Sequence, residues 1–112
     1  MQIVAKYEDS VFLKLTHSDN HHDLALFQNK NSKPNSENIN HFAWQIETEQ
    51  ELKQAKETLQ NNKAYTGQGD HGATKSIYAN DPDGNTFEIM YLLPEQTWGE
   101  YKNQAITKPL EL

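Results

Sequence analysis

At 112 residues the chain is sized for one domain, and 35% hydrophobic against 23% charged residues leaves room for a modest core. A net charge of −6 and a pI near 5.2 exclude the basic field that nucleic acid or an anionic membrane would need. No apolar run approaches the roughly 20 residues that span a bilayer, and the absence of cysteine removes disulfides and thiolate ligands. The opening Met1-Gln2-Ile3 lacks the basic-then-apolar pattern of a secretory signal. These features fit a cytoplasmic protein with a small-molecule partner.

In chain order, residues 2–8 (QIVAKYE) and 11–15 (VFLKL) alternate as two strands joined by a turn at Asp9 and Ser10. The polar run 16–20 is turn-like, and 21–28 (HHDLALFQ) is expected as a third strand. Residues 29–38 (NKNSKPNSEN) hold little but loop formers around Pro34 and mark a linker. A further strand follows at 40–47 (NHFAWQIE). It has Phe42, Trp44 and Ile46 on one face and His41, Ala43 and Gln45 on the other.

Thr48 followed by Glu51 is a capping box, and Leu52, Ala55 and Leu59 give the helix it starts a narrow apolar stripe ending at Asn61 and Asn62. The acidic face of that helix is solvated. A short strand at 64–68 and a loop at 69–72 lead into the clearest local signal, 74–93 (TKSIYANDPDGNTFEIMYLL). In it Asp81-Pro82-Asp83-Gly84-Asn85 has the chemistry of a type I turn closed by a left-handed glycine. The turn explains Asp81 and Asp83 without any ligand role. It also sets the hairpin register, with Tyr78 opposite Glu88, Ser76 opposite Met90 and Ile77 opposite Ile89.

Alternation puts Phe87, Ile89 and Tyr91 on one face and Glu88 and Met90 on the other. A mid-strand carboxylate between Phe87 and Ile89 needs a partner. Phe42, Trp44, Ile46, Leu52, Phe87 and Ile89 are expected to share one core between sheet and helix. The tail 94–112 offers Trp98, Tyr101 and Leu110 for packing.

The order from residue 39 to 93 is thus β-α-β-β-β, and residues 2–28 give β-β-β. Overlaying VFLKLTHSDNHHDLALF on KSIYANDPDGNTFEIMY aligns strand, turn and strand, and brings Asp23 to within one position of Glu88. With INHFAWQIE, DHG, SIYANDPDGNTFE and HHDLALF, this order closely resembles the vicinal oxygen chelate superfamily. That group covers glyoxalase I, extradiol ring-cleavage dioxygenases and fosfomycin or bleomycin resistance proteins.

The resemblance implies an α+β cup of paired βαβββ modules. Here the complete module would span 39–93 and an incomplete one 2–28, lacking an opening strand and helix of roughly 30 residues. It further implies a divalent metal on the concave face, with His41 and Glu88 as ligands. Fe(II) is the expected ion, and Mn, Ni and Zn are the alternatives. Within the superfamily, HHDLAL, DHG and the tyrosine ten residues before the glutamate look most like the catechol-type extradiol dioxygenases.

That comparison makes His22 the acid/base residue and His71 and Tyr78 the groups beside substrate and oxygen. The spacing from His71 to Tyr78 is shorter than in those enzymes. The third metal ligand would lie on the absent strand, and Asp23, His21, His22 or a second chain are the substitutes. An open strand edge predicts a homodimer or larger oligomer. The functional expectation is a ring-cleaving dioxygenase acting on a catechol. The alternatives are a glyoxalase-type lyase or isomerase and a non-catalytic small-molecule-binding module or truncated relic, and the chain is an enzyme only if the metal site is completed.

Overall fold

Among the described residues the chain order is β1 (Gln2–Lys6), β2 (Ser10–Lys14), β3 (Leu24–Phe27), β4 (Phe42–Ile46), α1 (Glu49–Asn61), β5 (Tyr65–Asp70), β6 (Thr74–Asn80) and β7 (Thr86–Leu92). The 3-10 turns Glu95–Thr97 and Gly99–Asn103 follow. The structure, a computed structural model, describes residues 1–31 and 39–112. Positions 32–38 of the expected linker at 29–38, including Pro34, lie outside the described residues.

β1, β2 and β3 form an antiparallel meander. The second sheet has the order β4-β7-β6-β5, with β4 parallel to β7 and the other pairs antiparallel. With α1 this is the expected βαβββ module, and the protein is α+β. No described helix is long and apolar enough to cross a membrane.

Local chemistry accounts for the two best-defined elements. Gly84 takes φ +85°, and its N–H closes onto the Asp81 carbonyl at 3.0 Å. The Asp81 carboxylate accepts from the Asp83 and Asn85 N–H groups at 2.9 and 2.8 Å, so the turn consumes it. The β6–β7 register is the expected one, with Tyr78 opposite Glu88, Ile77 opposite Ile89 and Ser76 opposite Met90. At the helix start, the Thr48 side chain accepts from the Glu51 N–H while the Glu51 carboxylate accepts from the Thr48 N–H at 2.9 Å.

The strand boundaries move in two informative places. β3 begins at Leu24, so His21 and His22 stand before the strand. β4 begins at Phe42, so His41 stands at its mouth.

The expected core is corrected at its edge. Register places Phe42, Trp44 and Ile46 on the same face as Phe87, Ile89 and Tyr91. Helix α1 lies over β5, β6 and β7 on that face, where Leu52 and Ile77 are fully buried and Lys75 Nζ donates to Glu49 Oε2 at 2.7 Å. Phe42 and Trp44 stay 56% and 66% exposed. The reason is width. A helix about 10 Å across spans about two strand intervals of about 4.8 Å, which takes in β5, β6 and β7 and leaves β4 at the sheet edge outside its reach.

This reversal has a measurable consequence. Leu52→Ala should cost about 2–5 kcal/mol in denaturant unfolding. Trp44→Ser should change stability by no more than about 0.5 kcal/mol. A large loss at Trp44 would contradict its placement outside the helix-covered core.

Candidate functional site

The face of the second sheet away from α1 is built for polar groups. Alternation along β6 and β7 delivers Thr74, Ser76 and Tyr78 from one strand and Glu88 and Met90 from the other. Their neighbours on β5 are glycines: Gly67 pairs with Tyr78 and Gly69 with Ser76. At Gly69 a Cβ would stand 3.4 Å from His71 Cε1 and 3.1 Å from Thr107 Cγ2. The glycine therefore lets the His71 ring lie close to the sheet.

Glu88 is 8% exposed, which leaves its charge dependent on partners. His41 Nε2 donates to Glu88 Oε2 at 2.9 Å. His41 Nδ1 faces Asn40 Oδ1 at 2.7 Å, so the ring is oriented from behind. Ser76, wholly buried on the same face, donates its hydroxyl to Thr74 Oγ1 at 3.5 Å and also acts to lower the Glu88 carboxyl. Burial works to raise the Glu88 carboxyl, but the hydrogen bond and charge of His41, with Ser76 acting in the same sense, prevail. Glu88 is held below its ordinary range.

Tyr78 stands between two histidines, its ring edge-on to His41 at 5.8 Å and to His71 at 6.2 Å. Burial, and then the charge of Glu88, raise the Tyr78 phenol, which stays protonated and donates. Its acceptor is His71 Nε2 at 2.7 Å. His71 in turn offers Nδ1–H to the Ile106 carbonyl at 2.7 Å.

From the first sheet comes His22, packed edge-on against Phe12 at 4.9 Å. Burial, reinforced by the neighbouring His21, pushes His22 down to about 4, while Glu88 pulls the other way. The charges of Glu88 and His71 act on His22 in opposite senses, Glu88 raising it and His71 lowering it. His21 is 5% exposed and is lowered chiefly by burial. Its Nδ1 lies 2.9 Å from His22 Nδ1 and its Nε2 lies 2.8 Å from the Tyr101 carbonyl.

The structure thus brings together His41, Glu88, Tyr78 and His71, while His22 contacts His21 and Phe12. Asp23 stays out. Its carboxylate accepts from the Leu15 N–H, Ser18 Oγ and Asn20 Nδ2 at 2.8, 2.7 and 2.8 Å. Slight burial would raise it, but these donors hold it below its usual range. Its place is the loop before β3, so the overlay onto Glu88 fails there.

Sequence reasoning passed over Ser76 as a partner of Glu88. Its parity with Tyr78 on the same strand was the available signal. The carbonyls of Tyr101 and Ile106 carried no signal at all, because any residue type supplies one.

Imidazole and carboxylate, His41 and Glu88, are the donor chemistry of a hard-to-borderline divalent metal. Among the described residues no third His, Asp or Glu joins them in a group able to hold an ion. The described residues therefore fit two positions of a three-ligand site and do not close it.

A βαβββ module with an acid/base-rich polar face opposite its helix defines a glyoxalase-type α+β unit. The profile of the Glyoxalase/Bleomycin resistance protein/Dioxygenase superfamily matches residues 1–89, and the chain belongs to that superfamily. No curated protein matches the chain.

The depressed His22 gives a pH signature with a definite sign. The unfolded chain takes up a proton near the ordinary value of 6.5, whereas the folded chain refuses it until about 4. Stability should be full above that upper value and fall as pH drops through the window. His22→Gln should flatten this part of a melting-temperature profile. A mutant profile parallel to wild type would assign the fall to other groups.

Proposed function

We propose that the chain is a metal-dependent, ring-cleaving dioxygenase-type protein acting on a catecholic substrate. The observation that carries this reading is the Tyr78–His71 hydrogen bond of 2.7 Å beside the His41–Glu88 pair, with His22 kept neutral by burial. It supports the likeness to catechol-type extradiol dioxygenases despite the shorter spacing between His71 and Tyr78.

The metal, Fe(II) by expectation with Mn, Ni or Zn as alternatives, would be held by His41 Nε2 and Glu88 Oε2. When bound it supplies a Lewis acid on which two vicinal oxygens can be chelated. The chain's own groups then divide the proton work. His22, neutral with a bare ring nitrogen, accepts a hydroxyl proton from the substrate and returns it later as a general acid. Tyr78 keeps its proton and donates, with His71 orienting the phenol. Glu88 remains ionised throughout.

The third donor is proposed to come from a second copy of the chain. β3 and β4 are both edge strands with exposed apolar residues, Leu24, Leu26 and Phe27 on one and Phe42 and Trp44 on the other. In this reading residues 2–28 are the three-stranded partner of the module at 39–93, and 94–112 are a tail added to that module.

A lyase or isomerase of the glyoxalase type would need a second carboxylate, and the loop-bound Asp23 does not supply it. The two-donor arrangement supports one other reading, a non-catalytic module that binds small molecules. Calorimetric titration with Fe(II) or Mn(II), paired with oxygen uptake on catechol, separates the two. In the dioxygenase reading His41→Ala should weaken metal binding at least about 100-fold, beyond the effect typical of an outer partner. His22→Gln should lower turnover by about 10²–10⁴ with metal binding retained. Equally weak isotherms for wild type and His41→Ala, without oxygen uptake, would sink it in favour of the binding module.

A further inference from the structure

Two histidines from two different sheets are held from behind by one stretch of backbone. His21 Nε2 meets the Tyr101 carbonyl at 2.8 Å, and His71 Nδ1 meets the Ile106 carbonyl at 2.7 Å, with Thr107 Oγ1 3.2 Å from the same nitrogen. A carbonyl oxygen only accepts, so each of those nitrogens carries the hydrogen. The neutral His21 ring then has a bare Nδ1, and its 2.9 Å neighbour, His22 Nδ1, must donate to it. That leaves His22 Nε2 bare. By the same logic His71 Nε2 is bare and accepts from Tyr78 at 2.7 Å.

We propose that the C-terminal segment Trp98–Lys108 is a positioning strap that sets the tautomers of His22 and His71, acting on His22 through His21. The proposal rests on the acid/base reading of the site given above, since its purpose is to present two ring nitrogens as bases. The strap lies beyond residue 89, where the superfamily match ends.

It is anchored at several points. Trp98 is buried, packs 5.6 Å from His21 and donates Nε1–H to the Leu93 carbonyl at 2.8 Å. The Tyr101 ring fills the space above Gly72, where a Cβ would stand 2.4 Å from Cγ. The Tyr7 hydroxyl takes the Ala105 N–H at 2.9 Å and donates to the Ala105 carbonyl at 3.2 Å. Asp70 and Lys108 exchange both backbone hydrogen bonds, at 3.0 and 2.7 Å. These contacts grip the segment on both sides of the two carbonyls that matter.

Long-range ¹⁵N–¹H correlation spectra of the imidazoles, taken on the full chain without metal or substrate, test this directly. The wild type should show His21 as the Nε2–H tautomer and His22 and His71 as Nδ1–H tautomers. His21→Phe keeps ring volume and removes the acceptor, and should convert His22 to a mixture or to Nε2–H while His71 is unchanged. His21→Asn, which returns an acceptor oxygen, should restore His22. Tyr7→Phe should loosen the strap at Ala105 and broaden or shift His71.

A wild-type spectrum with His22 or His71 as Nε2–H overturns the proposal even if the variants fail to fold. So does a folded His21→Phe protein with an unchanged His22 tautomer. The readout is independent of turnover. The expected tautomers in a protein that takes up no oxygen with catechol would support the strap and count against the dioxygenase reading alone.

Discussion

A carboxylate with less than a tenth of its surface in water loses several kcal/mol of solvation unless charge and hydrogen bonds replace it. Glu88 is that carboxylate, and its requirements organise the second sheet. Tyr78 must be directly across from it, which the β6–β7 register ensures. Ser76 must stand one pleat further along the same face. His41 must reach it from β4, which needs β4 parallel to β7 with Ala43 level with Glu88. A slip of one residue in that pairing would turn His41 toward the helix side and present Phe42 to the carboxylate. The register is therefore specified from the polar face as well as from the apolar one.

The two sheets are bound to each other through a third party. The tail receives hydrogen bonds from Tyr7 and His21 on one side and from Gln68, Asp70 and His71 on the other. Most of these end on backbone groups of the tail, so they specify its path more than its side chains. Gly72 adds a steric condition, because at φ +79° it accepts the Tyr101 ring where a larger residue would collide with it. The tail thus ties the loop that carries His21 and His22 to the sheet that carries Glu88.

What could be seen in the sequence divides along the same line. The hairpin was legible to the residue, because Pro82 and Gly84 are local demands and the register follows from counting outward. The helix start was legible because Thr48 and Glu51 are reciprocal partners three apart. His41 and Glu88 were legible as a pair through the family likeness and through their parity.

The exposure of Phe42 and Trp44 was not. Alternation says which residues share a face but not how far a helix extends over it, and that depends on where α1 lands. The loop fate of Asp23 was hidden for a similar reason: Ser18 and Asn20 are near in sequence, yet only the folded loop aims both at one carboxylate. His21 looked like half of an ambiguous doublet until the tail supplied a carbonyl to its Nε2.

The His41–Glu88 contact also sets the terms on which the site can hold an ion. At 2.9 Å each group is the other's partner, and the Nε2 hydrogen occupies the lone pair that a metal would need. Coordination must remove that proton and exchange one charge-assisted hydrogen bond for two coordinate bonds. Two bonds offset the exchange poorly, while a third donor shifts the balance toward the metal. The pair is also supported from behind, where Asn40 Oδ1 lies 2.7 Å from His41 Nδ1. In the proposed reading a second copy would supply that third donor, and the exposed apolar residues of the edge strands β3 and β4 are what it would cover.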